Sequence, residues 1–274
     1  MEKINHELQL EELRQLAQSN LIIPFIGAGF SSHLGLPTWS QLVDFIAAEL
    51  GYDPDIFKSQ GNAMQLAEYY ILKKNGDITE LTSKLQDWFN SEKIDISDSE
   101  QHMLLARLKP PIIYTTNYDN LIEKAFHASE IDYTLIAQIE DLRKIRSSIT
   151  QIVKFHGTFG LNHSIVLSES HYFNRLSLES ALDIKLRHDL LGRSLVFIGY
   201  NFQDLNMRYM WYKLLQLWKS QVSEIKLPSK SYFVGFGIGI IQKTILLEMY
   251  NIVAIELDPK DKTKSLVDFL KAIQ

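Results

Sequence analysis

The stretch from Leu21 to Trp39, LIIPFIGAGFSSHLGLPTW, constrains the fold more than any other part of the chain. Leu21 to Ile26 is an apolar run of strand length, and it breaks at Gly27-Ala28-Gly29. Phe30, Ser31 and Ser32 follow, and Gly35, Pro37 and Thr38 lead into a helical pattern that opens at Ser40. A strand, a tight glycine turn and a helix start in that order make a phosphate cradle, because backbone N–H groups and the positive end of a helix dipole converge on one spot. Glycine lets the backbone turn sharply and lets an anion approach without a Cβ in the way. The same residues also fit an ordinary strand-to-helix turn that needs glycine for its dihedrals alone. The third glycine of the dinucleotide fingerprint is missing, since Ser32 occupies its place. The turn alone leaves nucleotide binding open.

Composition narrows the classes. The 274 residues, 46% hydrophobic and 11% aromatic, supply a core for one large α/β domain with an inserted module, or for two small domains. A formal net charge of −5 gives no reason to expect nucleic acid as a ligand. The nearest basic run, Arg143-Lys144-Ile145-Arg146, reads as a solvated helix face. The absence of cysteine removes disulfides, thiolate catalysis and Cys-ligated zinc together. The opening MEKINHELQLEELRQL is charged and helix-patterned rather than a signal sequence, and no apolar run approaches membrane-spanning length. A cytoplasmic protein without a membrane partner is expected.

Along the chain, Leu8, Leu10, Leu13 and Leu16 mark an amphipathic helix that stops at Asn20. After the helix Ser40 to Leu50, residues up to 108 carry no strand signal, and Met64–Tyr70 and Leu81–Phe89 look helical. That excursion is longer than a crossover needs. It predicts a helical insertion over about 51–108 within one domain, 1–274, whose Rossmann-like core is 1–50 and 109–274. Strand patterns then recur at Ile112–Thr116, Tyr133–Ile136, Ile152–Phe155, Leu195–Ile198, Ser231–Gly235 and Ile252–Leu257, with a last helix from Thr263 to Ile273. Apolar strands alternating with helices predict an α/β fold, a mostly parallel sheet of about six strands with helices on both faces.

Ligands bind such sheets at the carboxyl ends of the strands. The polar residues cluster there: Gly27-Ala28-Gly29, Asn117 with Asp119, His156-Gly157, and Gly199-Tyr200-Asn201. Asp119 is equally an N-cap candidate for the helix that follows it. Trp39 fits either a pocket wall or the core. Tyr209, Met210, Trp211, Tyr212 and Trp218 read as core or subunit contact, and the seven histidines other than His156 as structural or surface residues. Gly235-Phe236-Gly237-Ile238-Gly239 follows a strand, but its spacing is wrong for a dinucleotide fingerprint, so it reads as a decoy.

Four motifs in order carry a family resemblance. Gly27-Ala28-Gly29-Phe30-Ser31 with Gly35-Leu36-Pro37 resembles the sirtuin opening GAGxSxxxGxP, and Thr115-Thr116-Asn117-Tyr118-Asp119 resembles its TQNxD. Phe155-His156-Gly157 resembles the strand-end HG, and Gly199-Tyr200-Asn201-Phe202 stands where the family has its late GTS-type turn. The departures are informative too. Sirtuin deacylases carry a four-cysteine zinc ribbon after HG, and residues 158–190 replace it here without an obvious metal site; the arginine of GIPDFR is also missing from Gly35-Leu36-Pro37-Thr38-Trp39-Ser40. The variants FIGAGFS, GLPTW, TTNYD, LSESxY and FIGYxFxD are similar to the sirtuin-like branch of bacterial antiphage defence, whose members hydrolyse NAD⁺.

The resemblance implies an NAD⁺ glycohydrolase that releases nicotinamide and ADP-ribose, with NAD⁺ as substrate and no metal. It implies Asn117, His156 and Asp119 as catalytic residues. Gly27, Ala28, Gly29, Phe30 and Ser31 would hold the pyrophosphate and Gly199, Tyr200 and Asn201 the adenosine half, with Thr38 and Trp39 also among the NAD⁺-binding residues. Cleavage of the nicotinamide–ribose bond passes through an oxocarbenium-like state. An amide can hold a water or ribose hydroxyl in line, and a histidine can take the proton near neutral pH. Constitutive NAD⁺ depletion would kill the host, so gating by homo-oligomerisation or by a separately encoded sensor or ATPase partner is expected. The chain closes soon after its last predicted helix, so any sensing function is expected in another chain. Other readings of the same motifs are a non-catalytic NAD⁺ or ADP-ribose sensor, and a protein deacylase or ADP-ribosyltransferase; hydrolysis and cyclisation of ADP-ribose are not separated.

Overall fold

Seven apolar segments assemble into one sheet in a computed structural model that describes residues 2–89, 94–177, 179–201, 205–221 and 230–274. The strands are β1 (Ile22–Ile26), β2 (Ile112–Thr115), β3 (Tyr133–Ile136), β4 (Thr150–Lys154), β5 (Ser194–Ile198), β6 (Ser231–Phe236) and β7 (Ile252–Leu257). Their order is β3-β4-β2-β1-β5-β6-β7, and every neighbouring pair is parallel. A mostly parallel sheet of about six strands is the expectation; among the described residues each of the seven strand patterns, Leu21–Ile26 included, forms a strand, and the sheet is parallel throughout.

β1, β2 and β5 are buried along their whole length. That explains their unbroken apolar runs, since a strand covered on both faces has no solvent side to alternate with. Pro24 stands within β1, where its missing N–H would ordinarily break a ladder. Register with β2 begins only at Phe25 opposite Tyr114, so the proline precedes that ladder. From β1 the chain continues to one side of the sheet, through β2, and later returns to the other side as β5. The crevice at that reversal is where open parallel sheets bind ligands.

Three apolar clusters fill the layers. On one face Leu13, Ile22, Phe126, Leu266 and Phe269 join the helices Glu2–Gln18, Leu121–Ala128 and Lys262–Ala272 to the sheet. On the other, Phe25, Phe197, Leu186, Trp211 and Leu246 bring in the helices Ala181–Asp189, Leu205–Gln221 and Ile240–Tyr250. Met210 and Trp211 are buried, and Trp211 Nε1 donates to the Tyr250 carbonyl at 2.8 Å, whereas Tyr209 and Tyr212 are exposed; the Trp218 side chain lies outside the described residues.

The third cluster joins Leu42, Ile46, Ala67, Tyr70, Leu81 and Leu85 of the helices Trp39–Glu49, Ala63–Lys73 and Thr79–Phe89 to Ile165 and Leu167. Two of these helices start on capping boxes, Thr38 with Gln41 and Asn62 with Gln65. The helix Glu100–Leu108 belongs elsewhere: Leu104, Leu105 and Ala106 pack in the first cluster. Polar contacts tie the helical layer to the helix Glu169–Leu176. Gln65 Nε2 donates to Glu169 Oε1 at 3.2 Å, and the Ser170 N–H donates to Glu68 at 2.9 Å. Among the described residues no helix is long and apolar enough to cross a membrane.

Candidate functional site

The glycine turn after β1 is built against the turn after β5. The Gly27 N–H donates to the Ile198 carbonyl and the Gly29 N–H to the Gly199 carbonyl, both at 2.9 Å. A Cβ on Gly27 or Gly29 would stand 2.7 or 2.8 Å from the Gly199 oxygen, and Gly199 itself has φ +80°. Glycine is required here so that two strand ends can touch. The Phe30 and Ser31 N–H groups close the turn onto the carbonyls of Gly27 and Ala28. Four N–H groups expected to face an anion are therefore engaged within the protein. The chain leaves through two single 3₁₀ turns, Ala28–Phe30 and Ser32–Leu34, and the α-helix begins only at Trp39, capped by Thr38.

Above this junction lies a cleft of about 860 Å³. Ala28, Gly29, Thr38 and Trp39 line it from the β1 side, Asn117, Asp119 and His156 from β2 and β4, and Gly199, Tyr200 and Asn201 from β5. Gly27, Phe30 and Ser31 are not part of the lining. Gly27 and Ser31 are buried behind the turn, and Phe30 is fully buried in the core. Phe202 lies outside the described residues.

Asn117 follows the end of β2. Its N–H donates to Thr115 Oγ1 at 3.0 Å and its Nδ2 to the Gly27 carbonyl at 3.2 Å. Its Oδ1 is buried and has no hydrogen-bond partner among the described residues. A buried acceptor without a donor is costly. A hydroxyl or a water placed against it in the cleft relieves that cost.

Asp119 is buried, and it accepts from the Leu121 N–H at 3.1 Å, so it does serve the start of the next helix. Burial pushes its carboxyl up, while Lys154, the Leu121 N–H and the Ser31 hydroxyl pull it back. Lys154 ends β4 fully buried, ion-paired with Glu123 at 3.0 Å and donating to the Asp119 carbonyl. A lone lysine in an apolar strand carries no motif that marks it in the sequence.

His156 follows Lys154 and Phe155 on the same strand end. Its ring meets Tyr172 edge-on at 5.3 Å, and Val166 N–H donates to its carbonyl at 3.0 Å. Desolvation first, and the Arg175 charge second, hold its pKa down to about 3. The imidazole is therefore neutral at physiological pH, with a ring nitrogen open to a proton but of low basicity in the empty cleft. Gly157, at φ +86°, makes the turn possible: a Cβ there would fall 2.1 Å from the Ser164 carbonyl oxygen. Arg175 lies over the Phe155 ring at 4.1 Å and pairs with buried Asp183 at 2.9 Å. The segment that stands in place of a zinc ribbon thus brings Leu167, Tyr172 and Arg175 into the cleft beside His156.

Tyr200 knots the three central strand ends. Its hydroxyl hydrogen-bonds Thr116 Oγ1 at 2.8 Å and the Ile26 carbonyl at 3.2 Å. The Gly235–Gly239 segment is no decoy in space: Gly235, Phe236 and Ile238 line the cleft at the end of β6, together with Lys262. Its position after a strand is the signal that places it there. No cluster of metal-ligating side chains occurs among the described residues.

Comparisons with known proteins give the chain its family. The chain is 31% identical over 202 residues to NAD(+) hydrolase ThsA of Bacillus cereus (strain MSX-D12), covering 72% of this chain and 40% of the relative. It is 31% identical over 185 residues to NAD(+) hydrolase ThsA of Enterococcus faecium, covering 67% and 37%. To Defense-associated sirtuin 2 of Bacillus subtilis it is 24% identical over 274 residues, covering 95% of this chain and 26% of the relative. The chain spans about 40% or less of the length of these relatives. The family model described as SIR2-like domain matches residues 111–255, just over half of the chain, and takes in Asn117, Asp119, His156 and the Gly199–Asn201 turn. The chain belongs to the SIR2-like family.

Proposed function

We propose that this chain is the NAD⁺-cleaving domain of an antiphage-defence protein, hydrolysing NAD⁺ to nicotinamide and ADP-ribose. The observation that carries the reading is the pairing, in one cleft, of the unpartnered Asn117 Oδ1 with a neutral His156. At about 860 Å³ the cleft is within the roughly 300–1,000 Å³ typical of small-molecule sites. The ThsA relatives bear the name NAD(+) hydrolase, and a further relative bears the name Defense-associated sirtuin 2.

The C1′–N bond of the nicotinamide ribose breaks, its electron pair neutralises the pyridinium, and nicotinamide leaves uncharged. Water forms the new C1′–O bond and gives its proton to His156, which later passes it to solvent. Asn117 Oδ1 accepts from the attacking water or a ribose hydroxyl and holds it in line. Asp119 orients the ribose from the same loop. The pyrophosphate lies along Ala28–Gly29 beside Thr38, where the start of the helix Trp39–Glu49 favours negative charge, and the adenosine half takes the Gly199–Asn201 side. The core, expected as 1–50 and 109–274, and the helical insertion, expected as about 51–108, act as one domain, in which Glu100–Leu108 packs with the core and Trp39–Glu49 with the helical layer. Gating by self-assembly or by a separately encoded partner keeps a cytoplasmic enzyme of this kind from emptying its own host of NAD⁺.

Chromatographic measurement of nicotinamide release from NAD⁺, with the protein alone and with candidate partners, tests the reading. Stoichiometric NAD⁺ or ADP-ribose binding without nicotinamide in any assembly replaces the hydrolase with a sensor. Nicotinamide release that requires an acetyl-lysine peptide replaces it with a deacylase.

A further inference from the structure

Four consecutive residues beyond the turn after β4, Ile165, Val166, Leu167 and Ser168, are each 5% exposed or less, yet they form neither helix nor strand. A buried backbone outside secondary structure has to find its hydrogen bonds elsewhere. Val166 finds both of its own at the two loops that carry the candidate chemistry. Its N–H donates to the His156 carbonyl at 3.0 Å, and its carbonyl accepts from the Tyr118 hydroxyl. Tyr118 stands between Asn117 and Asp119 in the chain. One residue therefore joins the loop after β2 to the loop after β4.

The sense of both bonds is fixed, because a carbonyl has no hydrogen to give and the phenol can only donate to it. Tyr118 borders the cleft, but Val166 does not line it, so the Tyr118 hydroxyl is spent away from the substrate. The Tyr118 ring is held by two others, Phe159 at 5.7 Å and Phe89 at 6.1 Å, and Phe89 ends the helix Thr79–Phe89. The buried strap is gripped from its other side by the helical layer. Ile165 and Leu167 pack in the third apolar cluster with Leu42 and Leu85, and the Ser170 N–H donates to Glu68 at 2.9 Å. Between the two ends, the Thr158 N–H donates to Ser164 Oγ at 3.2 Å and that hydroxyl to the Leu161 carbonyl at 2.7 Å, which closes the loop from His156 to Val166 on itself.

We propose that Val166 is a tie whose two backbone hydrogen bonds set the spacing of Asn117 and His156, and that Tyr118 is the positioning residue that holds one end of it. Tyr118 gives no proton to the substrate; it acts through the Val166 carbonyl. Without its hydroxyl the loop of Asn117 and Asp119 keeps its ring packing but is no longer pinned to the strap that pins His156. The helical layer bears on the same spacing, because it holds Ile165 and Leu167. The effect on turnover rests on the hydrolase reading; the tie itself does not.

Two measurements on the whole chain test it. Tyr118→Phe removes the hydroxyl and leaves the ring. Per folded molecule its kcat is expected to fall about 10- to 100-fold, as small misplacements of reacting groups do, with KM within about threefold of the wild type. Val166→Ala keeps both backbone bonds and is expected to hold kcat within about threefold. A Tyr118→Phe enzyme with wild-type kcat, or one that raises KM alone, overturns the proposal. So does a Val166→Ala enzyme that loses as much as Tyr118→Phe, because the effect then lies in side-chain packing. Amide hydrogen exchange reads the tie without activity. In the wild type the Val166 N–H is expected to exchange at least about 100-fold slower than an unstructured amide, and in Tyr118→Phe at least about tenfold faster than in the wild type, with the amides of β1 and β5 unchanged. A fast-exchanging Val166 in the wild type, or no change in the variant, overturns the tie. The expected exchange pattern in a protein that releases no nicotinamide in any assembly counts against the hydrolase reading and leaves the tie standing.

Discussion

The Asn117 amide reaches across the cleft floor to the Gly27 carbonyl at 3.2 Å, joining the ends of β2 and β1 with its nitrogen while its oxygen stays without a partner. One side chain thus has a structural half and a chemical half. Asn117→Ala removes both, and Asn117→Asp keeps the oxygen but replaces the donor with a second acceptor facing the Gly27 carbonyl. Alanine is expected to lower nicotinamide release by at least about 100-fold at a stability cost of only about 1 kcal/mol. The aspartate variant is expected to lose more stability than alanine because two oxygens then oppose each other. Initial-rate assays beside urea melts check both, and an alanine variant with full turnover removes Asn117 from the mechanism.

His156 and His102 share a pH signature. Both are held down to about 3, desolvation being the main cause in each. In the unfolded chain they titrate near 6.5, so below that value the unfolded state binds more protons than the folded one. Their contribution is complete above about pH 6.5 and is lost progressively as pH falls toward 3. At about pH 5 each accounts for about 2 kcal/mol. Denaturant melts at about pH 7 and pH 5 are expected to show a smaller pH-dependent loss in His102→Gln than in the wild type, by about that amount. The activity profile is expected to lack a histidine limb near 6.5, and a limb there reassigns the base.

The fold was legible because its physics is local. β1, β2 and β5 are buried on both faces, and only continuous apolar runs satisfy that, so the strands announce themselves. The strand-end residues Asn117, Asp119 and His156 were legible because a parallel sheet gathers its carboxyl ends, whatever lies between them in sequence. What lay hidden depends on contacts made at long range. Tyr172 closes the LSESxY variant, which carried no site role, and Arg175 three residues on reaches the cleft with no motif, while His33, Ser99 and His102 join only after the Glu100–Leu108 helix packs behind the turn. The glycine turn was read correctly as a tight place and misread in its hydrogen bonds, because the acceptors of Gly27 and Gly29 come from β5, far along the chain.

Lys154 and Glu123 form a fully buried ion pair under Asp119, at 3.0 Å. Removing one partner strands the other charge in a medium that solvates it poorly. Lys154→Met is expected to cost about 3–5 kcal/mol. Lys154→Met with Glu123→Leu is expected to recover most of that stability, since two packed apolar side chains of similar volume often match a buried pair. The double variant still lacks the ammonium that holds the Asp119 carbonyl, so its hydrolysis is expected to remain low. Thermal melts and turnover measured on the same preparations separate the two effects, and full activity in the refolded double variant shows that Lys154 serves stability alone.

Gly199 and Gly35 isolate what the turn needs from glycine. Both have positive φ, +80° and +68°, so alanine at either is strained by about 1–2 kcal/mol from its backbone conformation. At Gly35 nothing lies within 4 Å of the added methyl, and that strain is the whole cost. At Gly199 the methyl falls 2.4 Å from the Phe30 nitrogen and 2.7 Å from the Gly27 oxygen, both backbone atoms of the opposing turn. Backbone cannot rotate aside as a side chain does, so the two strand ends must part. Gly35→Ala is expected to remain within about 2 kcal/mol of the wild type, and Gly199→Ala to lose more than about 4 kcal/mol together with NAD⁺ binding. Chemical denaturation and calorimetric titration with ADP-ribose measure the two, and a Gly199→Ala protein as stable as Gly35→Ala means that β1 and β5 do not meet as tightly as this junction requires.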